Sequence, residues 1–206
     1  MRNILLLVGI VAIASPPPLA AQSQRTPEQR QALIQAHQAD FDYLLGDWEF
    51  TSVHKEYGTT HGVWSAVRLP DDEGGVIILD EFRVVGDSGE TWFVTRTLRA
   101  YNVNLDRWEL ISTNGASGLQ DFGTAQRAGD EMKIEQRFGV GTATPSVSRI
   151  RYYNIRPDRF SWTSDRSTDD GRTWSIAHNN IEARRVGPRR TMSALAPARR
   201  PSRTGP

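Results

Sequence analysis

The sequence predicts an all-β fold, an antiparallel up-and-down barrel of about eight to ten strands preceded by a short N-terminal helix. After Gly46 the period of the apolar residues changes from about 3.6 to 2, which marks a change from helix to strand. The strand-like segments are short and are joined by turns rich in glycine and aspartate. A sheet of this many strands removes its exposed edges by closing into a barrel. A β-sandwich is the structural alternative.

The leading helix is predicted from its capping residues. Thr26 can cap the helix, Pro27 suits the first helical position, and Gln29 sits where a capping box places a glutamate or glutamine. An apolar stripe then continues to Leu45, and Gly46 stops it. We therefore expect a helix from about Pro27 to about Leu45.

Ten segments after the helix have the alternation of strands. Their connections are short, so consecutive strands are expected to pair as neighbours in an antiparallel meander. The predicted strands are Asp47–Tyr57, Gly62–Leu69, Gly75–Val85, Thr91–Tyr101, Arg107–Thr113, Asp121–Gln126, Glu131–Phe138, Val147–Ile155, Arg159–Arg166 and Thr173–Val186.

Residues 1–21 have the pattern of a signal peptide. Arg2 precedes an apolar run from Ile4 to Ala14 that is too short to span a bilayer, and Ala20 and Ala21 offer small residues for cleavage. The mature protein is therefore expected to be secreted or periplasmic, with no membrane span. The chain contains no cysteine, which excludes a disulfide framework, a cysteine zinc site and a thiol nucleophile.

The C-terminal segment, Gly187–Pro206, is predicted to be a disordered basic tail after a single domain over residues 22–186. It holds five arginines, four prolines and no acidic residue. Without Arg2 and these five arginines, 19 of the 25 basic residues remain against 24 acidic ones, so the body is acidic. An acidic body argues against nucleic-acid binding. The tail is suited to contacting anionic surfaces, or simply offsets the charge of its own domain.

Three segments carry a resemblance to a known family. They are Phe41–Phe50 with its Gly-x-Trp, the hairpin Asp169–Trp174, and the closing segment Ile181–Val186. In this order, from Gln38 to Val186, the chain resembles a bacterial family of secreted calycin-type barrels, the domain-of-unknown-function family numbered fifteen seventy-nine. The resemblance implies a lipocalin-like or nitrobindin-like barrel. It implies no particular activity, because the family has none agreed.

The resemblance also implies how the barrel closes its floor. In lipocalin-like barrels the tryptophan of the Gly-x-Trp stacks under the floor, and an arginine from the last strand lies across its face. Trp48 matches the tryptophan. Arg184 and Arg185 both match the arginine, and the sequence does not choose between them. This contact would be structural.

The segment Ser167–Trp174 also matches the Asp box of sialidase propellers, where an aspartate binds turn amides and a tryptophan packs beneath. A propeller would repeat this motif at a fixed spacing, and the chain has one copy. We interpret the segment as a tight, self-stabilised hairpin.

No catalytic constellation is evident, so catalysis is not predicted. Asp80 and Glu81 point to opposite faces of one strand and cannot form a carboxylate pair. No nucleophile elbow, HExxH motif, EF-hand loop or P-loop occurs, and no metal site is predicted.

Two histidines fall at informative positions. His54 shares strand parity with Trp48 and is expected to point inward near the open end of the barrel. His178 loosely matches the haem-ligating histidine on the last strand of nitrobindin-like barrels. Haem is therefore an alternative ligand, since an imidazole in an apolar pocket is a good axial ligand for iron.

The leading hypothesis is an exported barrel that binds a small apolar or amphipathic molecule. Each of the six tryptophans falls on a different strand and either packs the core or lines a cavity. Arginines inside apolar strand patterns suggest an acidic partner or an anionic ligand group in the interior. The alternatives are a non-catalytic envelope-interaction module with a filled interior and the haem barrel. The candidate lining residues are His54, Trp92, Arg96, Arg151, Tyr153, Trp162 and His178.

Overall fold

The computed structural model describes residues 25–70, 74–114 and 118–191. The predicted signal peptide and residues 192–206 of the predicted tail lie outside these ranges. Helix α1 spans Pro27–His37. The strands are β1 Gly46–His54, β2 Gly58–Leu69, β3 Ile77–Val85, β4 Thr91–Asn102, β5 Arg107–Asn114, β6 Leu119–Ala128, β7 Glu131–Phe138, β8 Ser146–Tyr153, β9 Arg159–Ser167, β10 Ser175–Gly187 and β11 Arg190–Thr191.

Ten strands form a closed antiparallel up-and-down barrel. Each strand from β1 to β10 pairs with its neighbour in sequence, and β10 pairs with β1 to close the sheet. The predicted barrel is thus confirmed, and the β-sandwich alternative is wrong. Within the described ranges, no helix is long and apolar enough to cross a membrane.

The leading helix is shorter than predicted. The capping box of Thr26 and Gln29 is present, but α1 ends at His37 and its predicted extension to Leu45 is wrong. The apolar residues of that extension do not form a helical stripe. Instead, residues 38–44 form a series of turns. This segment buries Phe41, Leu44 and Leu45 at the closed end of the barrel. Core burial at the barrel end therefore replaces helical hydrogen bonding in this segment.

The closed end rests on Trp48 and Arg185. The Trp48 side chain is fully buried, and its Nε1 donates to the carbonyl of Leu44 at 2.8 Å. The Arg185 guanidinium carbon lies 4.1 Å from the centroid of the Trp48 ring. Its nitrogens donate to the carbonyls of Pro157, Leu45 and Tyr43. Arg184 points outward to Glu49, at 3.1 Å, so Arg185 is the arginine on the tryptophan face.

The Asp-box hairpin between β9 and β10 carries its own hydrogen bonds. Asp169 accepts from the backbone N–H and the hydroxyl of Thr173, at 2.9 and 2.6 Å. The Trp174 indole donates to the carbonyl of Gly171 at 2.9 Å, and Gly171 has a φ of +86°. These bonds match the predicted self-stabilised turn.

The C-terminal boundary lies later than predicted. Strand β10 includes Gly187, and Arg190 and Thr191 pair in parallel with Val67 and Arg68 of β2. Arg190 also binds the carboxylate of Asp47. The first residues of the predicted tail therefore belong to the sheet, and contact of the remaining basic residues with anionic surfaces stays a prediction.

Candidate functional site

The barrel encloses a cavity of about 360 Å³ between its aromatic floor and its open end. This volume equals that of roughly twelve liquid waters at about 30 Å³ each. The interior is therefore not filled by side chains, in contrast to the filled-barrel alternative. The lining side chains are those of His54, Trp64, Asp80, Phe82, Phe93, Thr95, Thr97, Arg99, Ser112, Asp121, Ile134, Gln136, Phe138, Ser146, Ser148, Ile150, Tyr152, Trp162, Ser164, Arg166, His178, Asn179 and Ile181.

The deep end of the cavity holds a buried ion pair. Arg99 Nε donates to Asp80 Oδ2 at 2.7 Å, and Trp64 Nε1 donates to Asp80 Oδ1 at 2.8 Å. Both charged side chains are almost fully buried. The Arg99 guanidinium also lies over the ring of Phe41, 5.0 Å from its centroid. Because the two charges compensate each other, this end of the cavity presents no free charge to a ligand.

The middle of the cavity combines small polar side chains with aromatic rings. Ser112, Ser148 and Ser164 are buried and line the wall, and Gln136 Nε2 donates to Ser112 Oγ at 2.7 Å. Serine leaves space where a larger side chain would fill the barrel, and its hydroxyl both donates and accepts hydrogen bonds. The wall can therefore bind polar groups of a ligand without losing the room for its apolar part.

Asp121 is the second carboxyl group on the cavity wall. It is buried, and its Oδ1 accepts the backbone N–H of Gly139 at 2.8 Å. Among the described residues it makes no ion pair. Burial raises the pKa of this carboxyl group, and the bond from Gly139 offsets only part of that rise. Asp121 is thus an acceptor available to a hydroxyl or amine of a ligand.

Two histidines meet at the open end. The rings of His54 and His178 lie edge to face, with centroids 4.6 Å apart. His178 is buried, its Nδ1 lies 3.2 Å from Ser175 Oγ, and its Nε2 has no hydrogen-bond partner. His54 Nδ1 accepts the backbone N–H of Glu56 at 3.1 Å, so Nε2 is the ring nitrogen left for other contacts.

A bulge in β10 turns His178 into the barrel. Ser175 pairs with Arg166 and Asn179 pairs with Ser164, so three residues of β10 face a single residue of β9. Within the bulge Ala177 has a φ of +47°, which non-glycine residues rarely adopt. The carboxylate of Asp165 holds this conformation by accepting the Ala177 N–H at 2.8 Å. As a result, His178 and its neighbour Asn179 both line the cavity.

A backbone bond joins this bulge to the turn after β1. The carbonyl of His178 accepts the N–H of Lys55 at 2.9 Å. This turn covers residues 55–57, where strand was predicted, and it carries Glu56. Glu56 Oε1 lies 3.8 Å from His178 Nε2 and 3.3 Å from an Arg166 nitrogen. The turn therefore brings a carboxylate to the two imidazoles.

Electrostatics at the mouth favour neutral imidazoles. Burial lowers the pKa of His178, and the nearby Arg166 lowers it further, whereas the Glu56 carboxylate acts in the opposite direction. Burial also lowers the pKa of His54, with a second contribution from His178. A neutral imidazole carries a free lone pair, which is the form that binds hydrogen-bond donors and metal ions.

The structure brings three of the seven predicted lining residues to the cavity: His54, Trp162 and His178. The expectation that the other four line the interior is wrong. On β4 the inward residues are Phe93, Thr95, Thr97 and Arg99, so the alternation turns Trp92 and Arg96 outward. Trp92 is 60% exposed, and Arg96 pairs with Glu81 at 2.7 Å on the outer surface.

The same alternation applies to β8. Ser148, Ile150 and Tyr152 face inward, so Arg151 and Tyr153 face outward. The Arg151 guanidinium lies over the Tyr153 ring, 4.9 Å from its centroid, and pairs with Glu131 at 3.5 Å. The interior arginine that the strand patterns suggested is instead Arg99, which does meet an acidic partner.

Sequence reasoning missed Arg99, Asp121, Gln136 and Glu56. The first three lie on strands where no residue fixed which face was inward. Glu56 was placed within a strand, whereas the chain turns there. One signal could have found Glu56. It lies two residues after His54, and Trp48 establishes which face of that segment points into the barrel.

A haem fits this mouth poorly. His178 Nε2 is buried and free, as an axial ligand would be. However, the Glu56 carboxylate lies 3.8 Å from that nitrogen, and the His54 ring packs edge to face against the His178 ring. A porphyrin bound to His178 would need the space of both groups. A carboxylate and a second imidazole beside the free nitrogen are instead the surroundings of a small cation.

Comparisons with known proteins give no family. No protein-family model matches the chain, and no curated protein matches it. Among solved structures, the chain is similar to the crystal structure of Rv2717c from M. tuberculosis, with 16% sequence identity and a TM-score of 0.47. The similarity covers 75% of this chain and 97% of that chain. Membership of the secreted calycin-type family, suggested by the sequence motifs, stays a prediction.

Proposed function

We propose that the protein is an exported binding barrel that holds a small amphipathic molecule in its interior. The observation that supports this most directly is the cavity of about 360 Å³, lined by both aromatic rings and hydroxyl groups. Ligand pockets for small molecules typically measure about 300–1,000 Å³ and combine apolar walls with a few placed polar groups. Export is proposed from the composition of residues 1–21.

The lining indicates the chemistry of the ligand. Phe82, Phe93 and Phe138 offer an apolar surface to its hydrocarbon part. The paired Asp80 and Arg99 leave the deep end without a free charge, so the group that enters first is uncharged. Hydroxyl or amine groups at mid-depth would bond to the wall serines and to Asp121. We therefore expect a neutral or weakly basic amphipathic molecule.

A fluorescent probe tests this proposal on the purified chain. The uncharged amphipathic probe 1-aminoanthracene should bind with one site per chain and gain fluorescence. Ser164 faces the cavity. Thr163 beside it is not part of the cavity lining, and its hydroxyl donates to Asn180 Oδ1 at 2.8 Å. Ser164→Leu should weaken the binding at least tenfold by filling the cavity. Thr163→Leu, the matched control, should leave the affinity unchanged.

The two variants separate the interior from the outer surface. Equal probe affinity in wild type, Ser164→Leu and Thr163→Leu would mean that the probe binds outside the barrel and would overturn the proposal. Near-ultraviolet circular dichroism of each variant checks that the aromatic packing is retained. Trp64 and Trp162 line the cavity, so quenching of tryptophan fluorescence by the bound probe gives a second reading.

A further inference from the structure

The barrel mouth gathers the donor atoms of a metal site. His54, Glu56 and His178 each offer one donor atom, and these three atoms all lie within 4.8 Å of one another. Two imidazole nitrogens with one carboxylate oxygen are a ligand set of zinc enzymes and of non-haem iron sites. The residues come from the end of β1, the turn after it and the bulge of β10, so the closure of the barrel assembles them.

An independent observation points to a ligand at this position. The His178 side chain is 8% exposed, and its Nε2 is buried without a hydrogen-bond partner. Buried side-chain nitrogens nearly always have a partner. The nitrogen lies 3.8 Å from the Glu56 carboxylate, a distance too long for a hydrogen bond. An atom that binds both groups would fill this gap.

The backbone around His178 is held in an unusual conformation. The left-handed φ of Ala177 and the bulge in β10 occur together where the His178 imidazole turns inward. Bulges and residues with unfavourable φ are enriched beside functional sites. Such a conformation costs free energy, so it persists only where the surrounding structure stabilises it. Asp165 and Lys55 provide that stabilisation through the backbone of Ala177 and His178.

We propose that His54, Glu56 and His178 bind one divalent first-row transition-metal ion at the barrel mouth. His54 and His178 would bind through Nε2, and Glu56 through its carboxylate. Ligand atoms about 2.0 Å from a tetrahedral ion lie about 3.3 Å apart, whereas the three donor atoms lie within 4.8 Å of one another, so they must approach by up to about 1.5 Å. Glu56 can make this movement, since its side chain is half exposed and lies in a turn.

This site goes beyond the proposed binding of an amphipathic molecule. Three protein ligands leave at least one coordination position open. Because His54 and His178 also line the cavity, that position faces the space in which the small molecule would lie. A ligand oxygen or nitrogen near the mouth would therefore be able to coordinate the ion.

Cobalt titration of the full chain, purified without a polyhistidine tag and treated with a chelator, tests the site. Co²⁺ alone should bind with one equivalent per chain and produce visible d–d absorption bands. His178→Ala and His54→Ala should each weaken binding more than about 100-fold, since losing even a hydrogen-bond partner of a metal ligand costs about 10- to 100-fold. His61→Ala, at an exposed histidine beside Thr51, is the matched control and should bind as wild type does.

Two further variants keep the test decisive if a histidine variant fails to fold. Glu56→Gln removes a ligand from an exposed turn and should weaken binding without altering the near-ultraviolet circular dichroism. Arg166 competes with the metal for the Glu56 carboxylate, at 3.3 Å. Arg166→Gln should therefore tighten Co²⁺ binding, by up to about fivefold for an ion pair of this exposure.

Three results would overturn the site. They are no saturable binding of Co²⁺, an affinity unchanged by Glu56→Gln and the histidine variants, or a haem Soret band after reconstitution that His178→Ala removes. The test is also separable from that of the binding barrel. Ser164→Leu should exclude 1-aminoanthracene and still bind Co²⁺, whereas Glu56→Gln, at a residue outside the cavity lining, should weaken Co²⁺ binding and still bind the probe.

Discussion

His54 and His178 lie edge to face at the open end of the barrel, with ring centroids 4.6 Å apart, although they belong to the first and the last of its ten strands. The pairing of β1 with β10 brings them together, with His54 opposite Asn179. The same pairing places Trp48 opposite Arg185 at the other end. One strand pair therefore builds both the floor and the mouth of the cavity.

The floor contact should account for a substantial part of the stability. Arg185→Ala removes a cation–π contact and three bonds to backbone carbonyls, so we expect the free energy of unfolding to fall by about 2–4 kcal/mol. Arg184→Ala removes only an exposed pair with Glu49 and should cost about 0.5 kcal/mol or less. Urea unfolding followed by tryptophan fluorescence measures both. Equal losses in the two variants would contradict the assignment of Arg185 to the Trp48 face.

The buried pair at the deep end should be costly to break. Asp80→Ala leaves the Arg99 guanidinium buried without its counter-charge, and we expect a loss of about 3–5 kcal/mol. Glu81, the next residue, pairs with Arg83 and Arg96 on the outer surface. Glu81→Ala should therefore cost about 1 kcal/mol or less. Thermal and urea unfolding compare the two, and a small loss in Asp80→Ala would mean that the ion pair is solvated.

The charged carboxylate of Asp121 should lower the free energy of unfolding at neutral pH. Burial raises the pKa of its carboxyl group above the value in the unfolded chain. Its contribution is therefore favourable when the group is protonated, below about pH 3.9, and is lost as pH rises through the raised pKa. Asp121→Asn keeps an acceptor for the Gly139 N–H and should be more stable than wild type at pH 7, with the difference vanishing near pH 3. A difference that is constant with pH would contradict this account.

The Asp-box hairpin should show the opposite dependence on pH. Hydrogen bonds from Thr173 and Ser167 lower the pKa of Asp169 to about 2. Its stabilising contribution is present above the unfolded pKa of about 3.9 and is lost as pH falls toward 2. Asp169→Asn should therefore lower the melting temperature at pH 7 and have little effect at pH 2. Asp170→Asn, whose side chain points to Arg137, is the control, and a larger effect there would place the stabilising carboxylate at residue 170.

The sequence was sufficient to predict the barrel architecture and to identify the inward face of one strand, β1. Alternation and turn residues predicted the closed meander, and the position of Trp48 predicted that His54 points inward. That inference worked because β1 has no register shift between Trp48 and His54. On β4 and β8 no such anchor existed, so the position of Arg96 and Arg151 within apolar strand patterns did not show which face of the strand they occupy.

His178 illustrates a different limit. Simple alternation from Ile181 and Ala183, which are both buried, places Asn179 inward and His178 outward. The bulge reverses the direction of His178, and within it the Ala177 N–H donates a hydrogen bond to the Asp165 carboxylate on the neighbouring strand. Strand periodicity contains no information on such a bond. The prediction that the helix ends at Leu45 was wrong for a related reason. Burial of Phe41 and Leu44 in the barrel outweighed their helical spacing.

The most direct test of a ligand-holding barrel is native mass spectrometry of the protein purified from its own host. Wild type should carry a bound small molecule that dissociates on activation, and Ser164→Leu prepared in parallel should carry it at a much lower occupancy. A bare protein mass for wild type under conditions that preserve non-covalent complexes, or equal occupancy in the cavity-filled variant, would contradict the account.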